Sequence, residues 1–350
     1  MAENPAKATA IPDFDSLPAV GDMPQGCAWG VFDKGEQKDH LGCINILTPE
    51  VVQQACKEAR DGVSISLNWS MAAARNLLPP RKGLVHTVHD YHGEPFNFGF
   101  HSFDDEVEFN TQASSQWDSL VHFAHQDTGL CYNGVMPTRE SLTQNGRDVD
   151  SDRIFPTLNH WHHRGALVGR GVLLDYRAWA REKSISYDCF DSQTISISDL
   201  EAIAKHQGTE LRFGDILIIR SGYTEDLEAL DVADQERVMR SGRAIGVEGN
   251  VQTAKWFWNH HFAAVAGDML AFEVLPPLLN HENKREGGTR DLVLHQYFLS
   301  LFGLNIGELW DLCALGEHCK RAKRYEFLLT SVPLNVPGLV GSPPNAVAVF

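Results

Sequence analysis

Residues 214–220 read Gly-Asp-Ile-Leu-Ile-Ile-Arg, an apolar run without polar residues at alternate positions. A strand with one wet face would alternate, so this run is expected as a strand buried on both faces. Such a strand needs other elements packed above and below it. Residues 166–175, Ala-Leu-Val-Gly-Arg-Gly-Val-Leu-Leu-Asp, give a second strongly apolar strand. At 350 residues and 43% hydrophobic composition, the chain has enough material to cover both.

The rest of the chain alternates helix and strand signals. Thr48 caps a helix with Pro49 in its first turn and Val51, Val52, Ala55, Cys56 and Ala59 along one stripe. Val63, Ile65, Leu67 and Trp69 alternate as a half-buried strand. Ser198 to Glu201 has capping-box spacing before a helix that stops at Gly208. A helix over 251–262, a strand over 263–266 and a helix over 292–302 ending on Gly303 follow. Strands at 326–332 and 346–350 close the chain. Residues 78–152 are rich in His, Gly, Asp and aromatics and are expected as a long loop region with short strands. Residues 1–25 are expected as an irregular arm, and 26–350 as a single α/β domain with a mixed sheet.

Charge and targeting signals exclude several classes. A formal net charge of −16 repels a phosphate backbone or an anionic membrane, so neither nucleic acid nor membrane is expected as a partner. The N-terminus lacks the apolar core of a secretion signal, and no apolar run reaches spanning length. Seven scattered cysteines without a CxxC pair suggest reduced thiols and a cytoplasmic protein. The Gly-Ala-Leu-Val-Gly-Arg-Gly segment at 165–171 lacks dinucleotide spacing and precedes a strand.

The chemistry-bearing stretch is Gln112-Ala-Ser-Ser-Gln-Trp-Asp-Ser-Leu-Val-His122. In an extended segment Gln112, Ser114, Gln116 and Asp118 share one polar face. His122 follows Asp118 by four residues, placing an imidazole beside a carboxylate as proton transfer or metal binding requires. An exposed polar edge beside a histidine has the same pattern. His295 lies on the apolar stripe Leu292, His295, Leu299, Phe302, where a hydrogen-bonded core histidine fits as well as a ligand. Glu308, flanked by Ile306, Leu309 and Trp310, is either a surface acid on a short turn or a buried ligand. Together Asp118, His122, His295 and Glu308 would make a mixed N/O site for a divalent metal.

These residues carry a family resemblance. The chain resembles the putative-cyclase superfamily, the kynurenine formamidase-like metal-dependent hydrolases that include isatin hydrolase. That family has His-x-Gly-Thr-His-x-Asp-x-Pro-x-His and, later, a His followed about a dozen residues on by Glu. Here the first motif reads Gln112-x-Ser114-Ser115-Gln116-x-Asp118-x-Leu120-x-His122, and the second reads His295 and Glu308. The match is to the longer branch, with Gln-Trp-Asp in place of His-x-Asp. Supporting segments run from AWGVFDKGEQKDHLGCINILTPE through NIGELWDL to VPGLVGSPPNAVA.

The resemblance implies a swivelling β/β/α domain with a mixed central sheet and peripheral helices, and a homo-oligomer, dimer or tetramer. It implies Asp118, His295 and Glu308 as metal ligands, with Gln116 beside them, and His122 as general acid/base. Gln112 and Gln116 stand where shorter members have histidine ligands. One divalent ion (Mn, Zn or Mg) is therefore expected, because neutral amide oxygens are harder and weaker donors than imidazole. The implied activity is opening of a cyclic amide, lactone or aryl formamide, a small-molecule substrate. A cyclase, isomerase or dehydratase with a weakened site, and a non-catalytic binding protein, remain as alternatives.

Trp29 and Tyr132 are candidate aromatic walls for a planar substrate, and also ordinary packing aromatics. Gln112 and Arg170 are further candidates for substrate contact, Arg170 being equally suited to a structural ion pair. His86, His89 and His92 have ligand-like spacing but read as a solvated loop. His160, His162, His163, His260 and His261 read as surface or supporting groups. Asp268 and Glu273 read either as substrate-side acids or as loop charges.

Overall fold

A computed structural model describes residues 11–75, 80–143, 155–280 and 285–350. Among these residues, nine strands form one mixed sheet. In chain order they are Ser64–Ser66 (β1), Gln116–Asp118 (β2), Leu167–Asp175 (β3), Ile216–Arg220 (β4), Ala264–Gly267 (β5), Ile306–Glu308 (β6), Glu326–Ser331 (β7), Gly341–Ser342 (β8) and Ala346–Val349 (β9). Their spatial order is β1-β9-β7-β3-β4-β5-β6-β2-β8. The central four, β3 to β6, run parallel, and every pairing outside them is antiparallel.

The core lies on both faces of this sheet. In β4, Ile216 and Ile218 pack into one apolar cluster with Trp117, Leu173 and Phe327. Leu217 and Ile219 point the other way, into a cluster with Leu174, Phe257 and Phe298. Each such burial contributes about 1.5–3 kcal/mol, which is why the run tolerates no polar alternate. Helices 197–207 and 251–259 cover one face. Helix 313–322 covers the other, with Val51 and Val52 of helix 49–55 beside it. The expected α/β architecture, a mixed central sheet with peripheral helices, is the one adopted.

Local signals held with shifts. Thr48 caps Pro49–Ala55, its side chain accepting from the Val51 N–H. The capping box is Ser196 with Asp199, two residues before the expected one, and the helix Ile197–Gln207 stops at Gly208 as expected. A box needs the cap residue in extended backbone, and Ser196 has that conformation. The region 78–152 carries an exposed hairpin, Val85–Asp90 with Phe103–Glu108, and its residues 78–79 and 144–152 lie outside the described residues. His86 and His89 are on this hairpin, facing Asp105 and Glu106. Of the arm 1–25, residues 1–10 are likewise outside; residues 11–25 pack on the domain, with Phe14 and Leu17 buried and the Phe14 N–H donating to Asn259 Oδ1.

The seven cysteines are free thiols, five of them buried and Cys56 exposed. Among the described residues no helix is long and apolar enough to cross a membrane.

Candidate metal centre

The sheet changes from parallel to antiparallel between β6 and β2, and the polar cluster sits at that seam. Glu308 at the end of β6 pairs across the ladder with Gln116 at the start of β2. The short β2 is fully buried. It is held by Trp117 Nε1 donating to Ser331 Oγ, Trp310 Nε1 donating to Gln116 O, and Asn305 Nδ2 donating to Asp118 O. Extended backbone covers only 116–118, so the expected shared face holds for Gln116 and Asp118 but not as a continuous row. Ser114 turns away to donate to Trp69 O, while a turn at 111–113 brings Gln112 back over Asp118.

His295 arrives from the other side. The helix expected over 292–302 is α-helical only for Val293–His295 and continues as a π-helix over Gln296–Phe302. Glu273 caps its start with both carboxylate oxygens. Oε2 accepts from the Val293 and Leu294 N–H groups at 3.0 and 3.1 Å. Oε1 accepts from the His295 backbone N–H at 2.7 Å and from Nδ1 at 2.8 Å. That bond fixes Nδ1 as a protonated donor and turns Nε2 toward Glu308 Oε1, 3.2 Å away.

Asp118, His295 and Glu308 each present one ligand atom, all within 4.8 Å of one another and all buried. Their other atoms are occupied. Gln112 Nε2 donates to Asp118 Oδ1, and Gln116 Nε2 donates to both Gln112 Oε1 and Glu308 Oε2. Left without any hydrogen-bond partner are Asp118 Oδ2, Glu308 Oε1 and Gln116 Oε1. Buried oxygens in that state cost about 1–3 kcal/mol each, more when charged. Glu308 Oε1 is near His295 Nε2 but not in hydrogen-bond alignment with it, as expected of two donors facing a common point. The donor set, two carboxylates and an imidazole nitrogen, fits a divalent cation.

The electrostatics agree. Burial pushes the Asp118 carboxyl above its ordinary range, His122 opposes the shift, and Glu308 adds to it. Burial works against charging His295, but Glu273 and Glu308 outweigh it and push its pKa up to about 10. Three carboxylates and one imidazole in a dry seam form a site that a cation relieves. Backbone strain marks the same place. Phe272 and Leu309, next to Glu273 and Glu308, are buried non-glycine residues with φ of 42° and 54°. That conformation costs about 1–2 kcal/mol.

His122 returns beside the cluster through a turn closed by its N–H to Ser119 O. Its Nε2 is 3.9 Å from Asp118 Oδ1, and its side chain keeps 22% exposure where the three ligands are buried. It is therefore the reachable titratable group at the cluster. Phe123 rests edge-on against the His295 ring, with centroids 5.4 Å apart.

The candidate substrate residues are placed differently. Gln112 is buried, with its amide bonded to Asp118 and Gln116, so it braces those two side chains. Arg170 lies on β3, three strands from β6, bound to Asp215 with Glu58 and Glu326 nearby; it is the structural ion pair. Tyr132 is fully buried, its hydroxyl donating to Asp39, and offers no open face. Trp29 is half-buried with its indole N–H on Ser300 O. Asp268 accepts from Ser221 and Gly222 and braces a turn. Glu273 is the functional residue that spacing did not resolve. Its one signal is an acid inside the apolar run Met-Leu-Ala-Phe-Glu-Val-Leu, a place where carboxylates survive only when paired.

Known proteins share this fold. A family model described as "Putative cyclase" matches residues 63–274. A crystal structure described as a novel cyclase superposes with TM-score 0.75 at 29% identity, covering 93% of this chain and 99% of that one. Isatin hydrolase A from Labrenzia aggregata, bound to benzyl benzoate, superposes with TM-score 0.54 at 11% identity, covering 85% of this chain and 97% of that one. Isatin hydrolase A from Ralstonia solanacearum gives TM-score 0.54 at 11% identity, with 86% and 97% covered. At such identities the likeness to the isatin hydrolases is one of fold. No curated protein matches the chain.

Proposed function

Since the chain belongs to this cyclase family, we propose that it is a metal-dependent hydrolase that opens a cyclic amide, a lactone or an aryl formamide. Asp118, His295, Glu308 and Gln116 hold one divalent cation, and His122 is the general acid/base. The observation that supports this is the meeting of Asp118, His295 and Glu308 ligand atoms within 4.8 Å of one another, with Asp118 Oδ2 and Glu308 Oε1 unpartnered and the His295 ring oriented by Glu273. When bound, such a cation supplies Lewis acidity, lowering the pKa of water and polarising a carbonyl.

The chain's own residues do the rest. Glu273 keeps the His295 ring oriented, and the Gln112–Gln116 amide chain keeps Asp118 and Glu308 from rotating away. His122 takes the proton of the attacking water and returns it to the leaving nitrogen or oxygen, a contribution of about 10²–10⁴ in rate. Asp118 Oδ1 lies 3.9 Å from His122 Nε2, so the acid/base group stands beside the proposed ligand.

Elemental analysis of purified wild type and Glu308→Ala tests the site. Near-stoichiometric Mn, Zn or Mg in the wild type and its loss in the variant is the expected result. No metal in either after reconstitution would remove the proposal. His122→Ala should retain the metal while turnover falls about 10²–10⁴-fold; full activity would rule out its role. Mass spectrometry of the products decides the reaction class: hydrolysis adds water, giving one heavier product when a ring opens and an amine plus formate from an aryl formamide, whereas an isomerase or cyclase leaves the mass unchanged and a dehydratase lowers it.

A further inference from the structure

A second cavity, of about 380 Å³, opens between the loop 32–45 and the short helix His160–Arg164. In a chain of net charge −16 its lining carries three cations, Lys34, Lys38 and Arg164, beside His40, His160 and His163 and one acid, Asp39. Its lining acid, Asp39, and the neighbouring Asp33 are engaged by other donors. Asp39 accepts from the Leu41 and Gly42 N–H groups, from Asn45 Nδ2 and from the Tyr132 hydroxyl. Asp33 accepts from the Asp39 N–H and Asn133 Nδ2.

The cations are held by neutral groups. Lys38 Nζ donates to Asn133 O at 2.6 Å, and Arg164 donates to Ala166 O and Leu47 O. Among the described residues, none of Lys34, Lys38 and Arg164 forms an ion pair with a carboxylate. Carbonyl anchoring fixes where Lys38 and Arg164 sit without neutralising their charge, which is the preorganisation an anion site requires. The His40 and His160 rings, with centroids 4.6 Å apart and planes tilted by 47°, form an aromatic wall next to Phe32. His160 Nε2 donates to Phe155 O. The cavity volume exceeds that of a bare inorganic ion and falls within the range of small-molecule sites.

We propose that this cleft binds a small organic anion, its carboxylate or phosphate head held by Lys34, Lys38 and Arg164 and its body lying on the His40–His160–Phe32 wall. The site is separate from the metal centre and does not depend on the hydrolase reading.

Calorimetric titration of the full chain with inorganic phosphate and with benzoate tests it; the tighter of the two identifies the head group. Saturable binding is expected in wild type and also in Glu308→Ala, which excludes the metal centre as the site bound. It should weaken about tenfold or more in the double variant Lys34→Gln/Lys38→Gln. These lysines are exposed, so the variant should stay folded, and an unchanged melting temperature verifies that. Three results overturn the proposal: no saturable heat with either anion, binding lost in Glu308→Ala, or binding unweakened when both lysines are neutral.

Discussion

Glu273 shows what a single buried side chain does here. Its two oxygens take three backbone N–H groups and one imidazole nitrogen, so it fixes the start of a helix and the direction of a ligand at once. An amide in its place presents an NH₂ to donors that also need an acceptor. Glu273→Gln should therefore weaken Mn²⁺ binding by about 10–100-fold while leaving the molecule folded, as read by titration alongside a melting curve. Unchanged affinity would make Glu273 a helix cap and nothing more. Gln112 and Gln116 act by the same logic: with one oxygen of each carboxylate occupied, the other is left for the metal.

At the scale of elements, the 292–302 helix is held in place by its end as much as by its stripe. Gly303 closes it with φ of 73°, and its Cα face meets Gly42, whose own φ is 58°. A Cβ at Gly303 would lie 2.6 Å from the Tyr132 ring and 2.8 Å from Gly42 Cα. Gly303→Ala should thus cost about 2–4 kcal/mol, combining strain in the left-handed region with overpacking, measurable by urea unfolding. Because the displaced helix carries His295, metal affinity should fall with it. A fully stable variant with wild-type affinity would show that the contact relaxes freely. The π-helix that follows His295 widens the turn, a departure common at functional sites.

Across the whole molecule, the candidate metal centre and a buried ion cluster around Arg170 lie apart along the sheet. The candidate metal centre occupies the β6–β2 seam, and the Arg170 cluster with Asp215, Glu58 and Glu326 lies on the far side of the parallel strands. Arg170→Met removes one cation from three acids and should destabilise the fold by about 3–5 kcal/mol. Metal bound per folded molecule should stay at the wild-type value, because the sites share no partner. Chemical denaturation paired with elemental analysis reads both quantities. Loss of metal from the folded variant would reveal coupling through the sheet.

The sequence alone determined what depends on local pattern. The continuous apolar run at 214–220 required a strand covered on both faces, and Thr48, Gly208 and Gly303 marked helix ends, because period and cap chemistry act over a few residues. Residue type alone left Asp118, His122, His295 and Glu308 as candidates beside blander readings, and the resemblance to the cyclase family singled them out. Tertiary structure decided which atoms face one another. That Glu308 sits across from Gln116 is a matter of strand register, and that Glu273 stands behind His295 is a matter of a helix start meeting a loop 20 residues upstream. It also decided that Arg170, Gln112 and Tyr132 are internal, because burial and pairing are set by neighbours distant in the chain, and a one-dimensional pattern does not encode those distances.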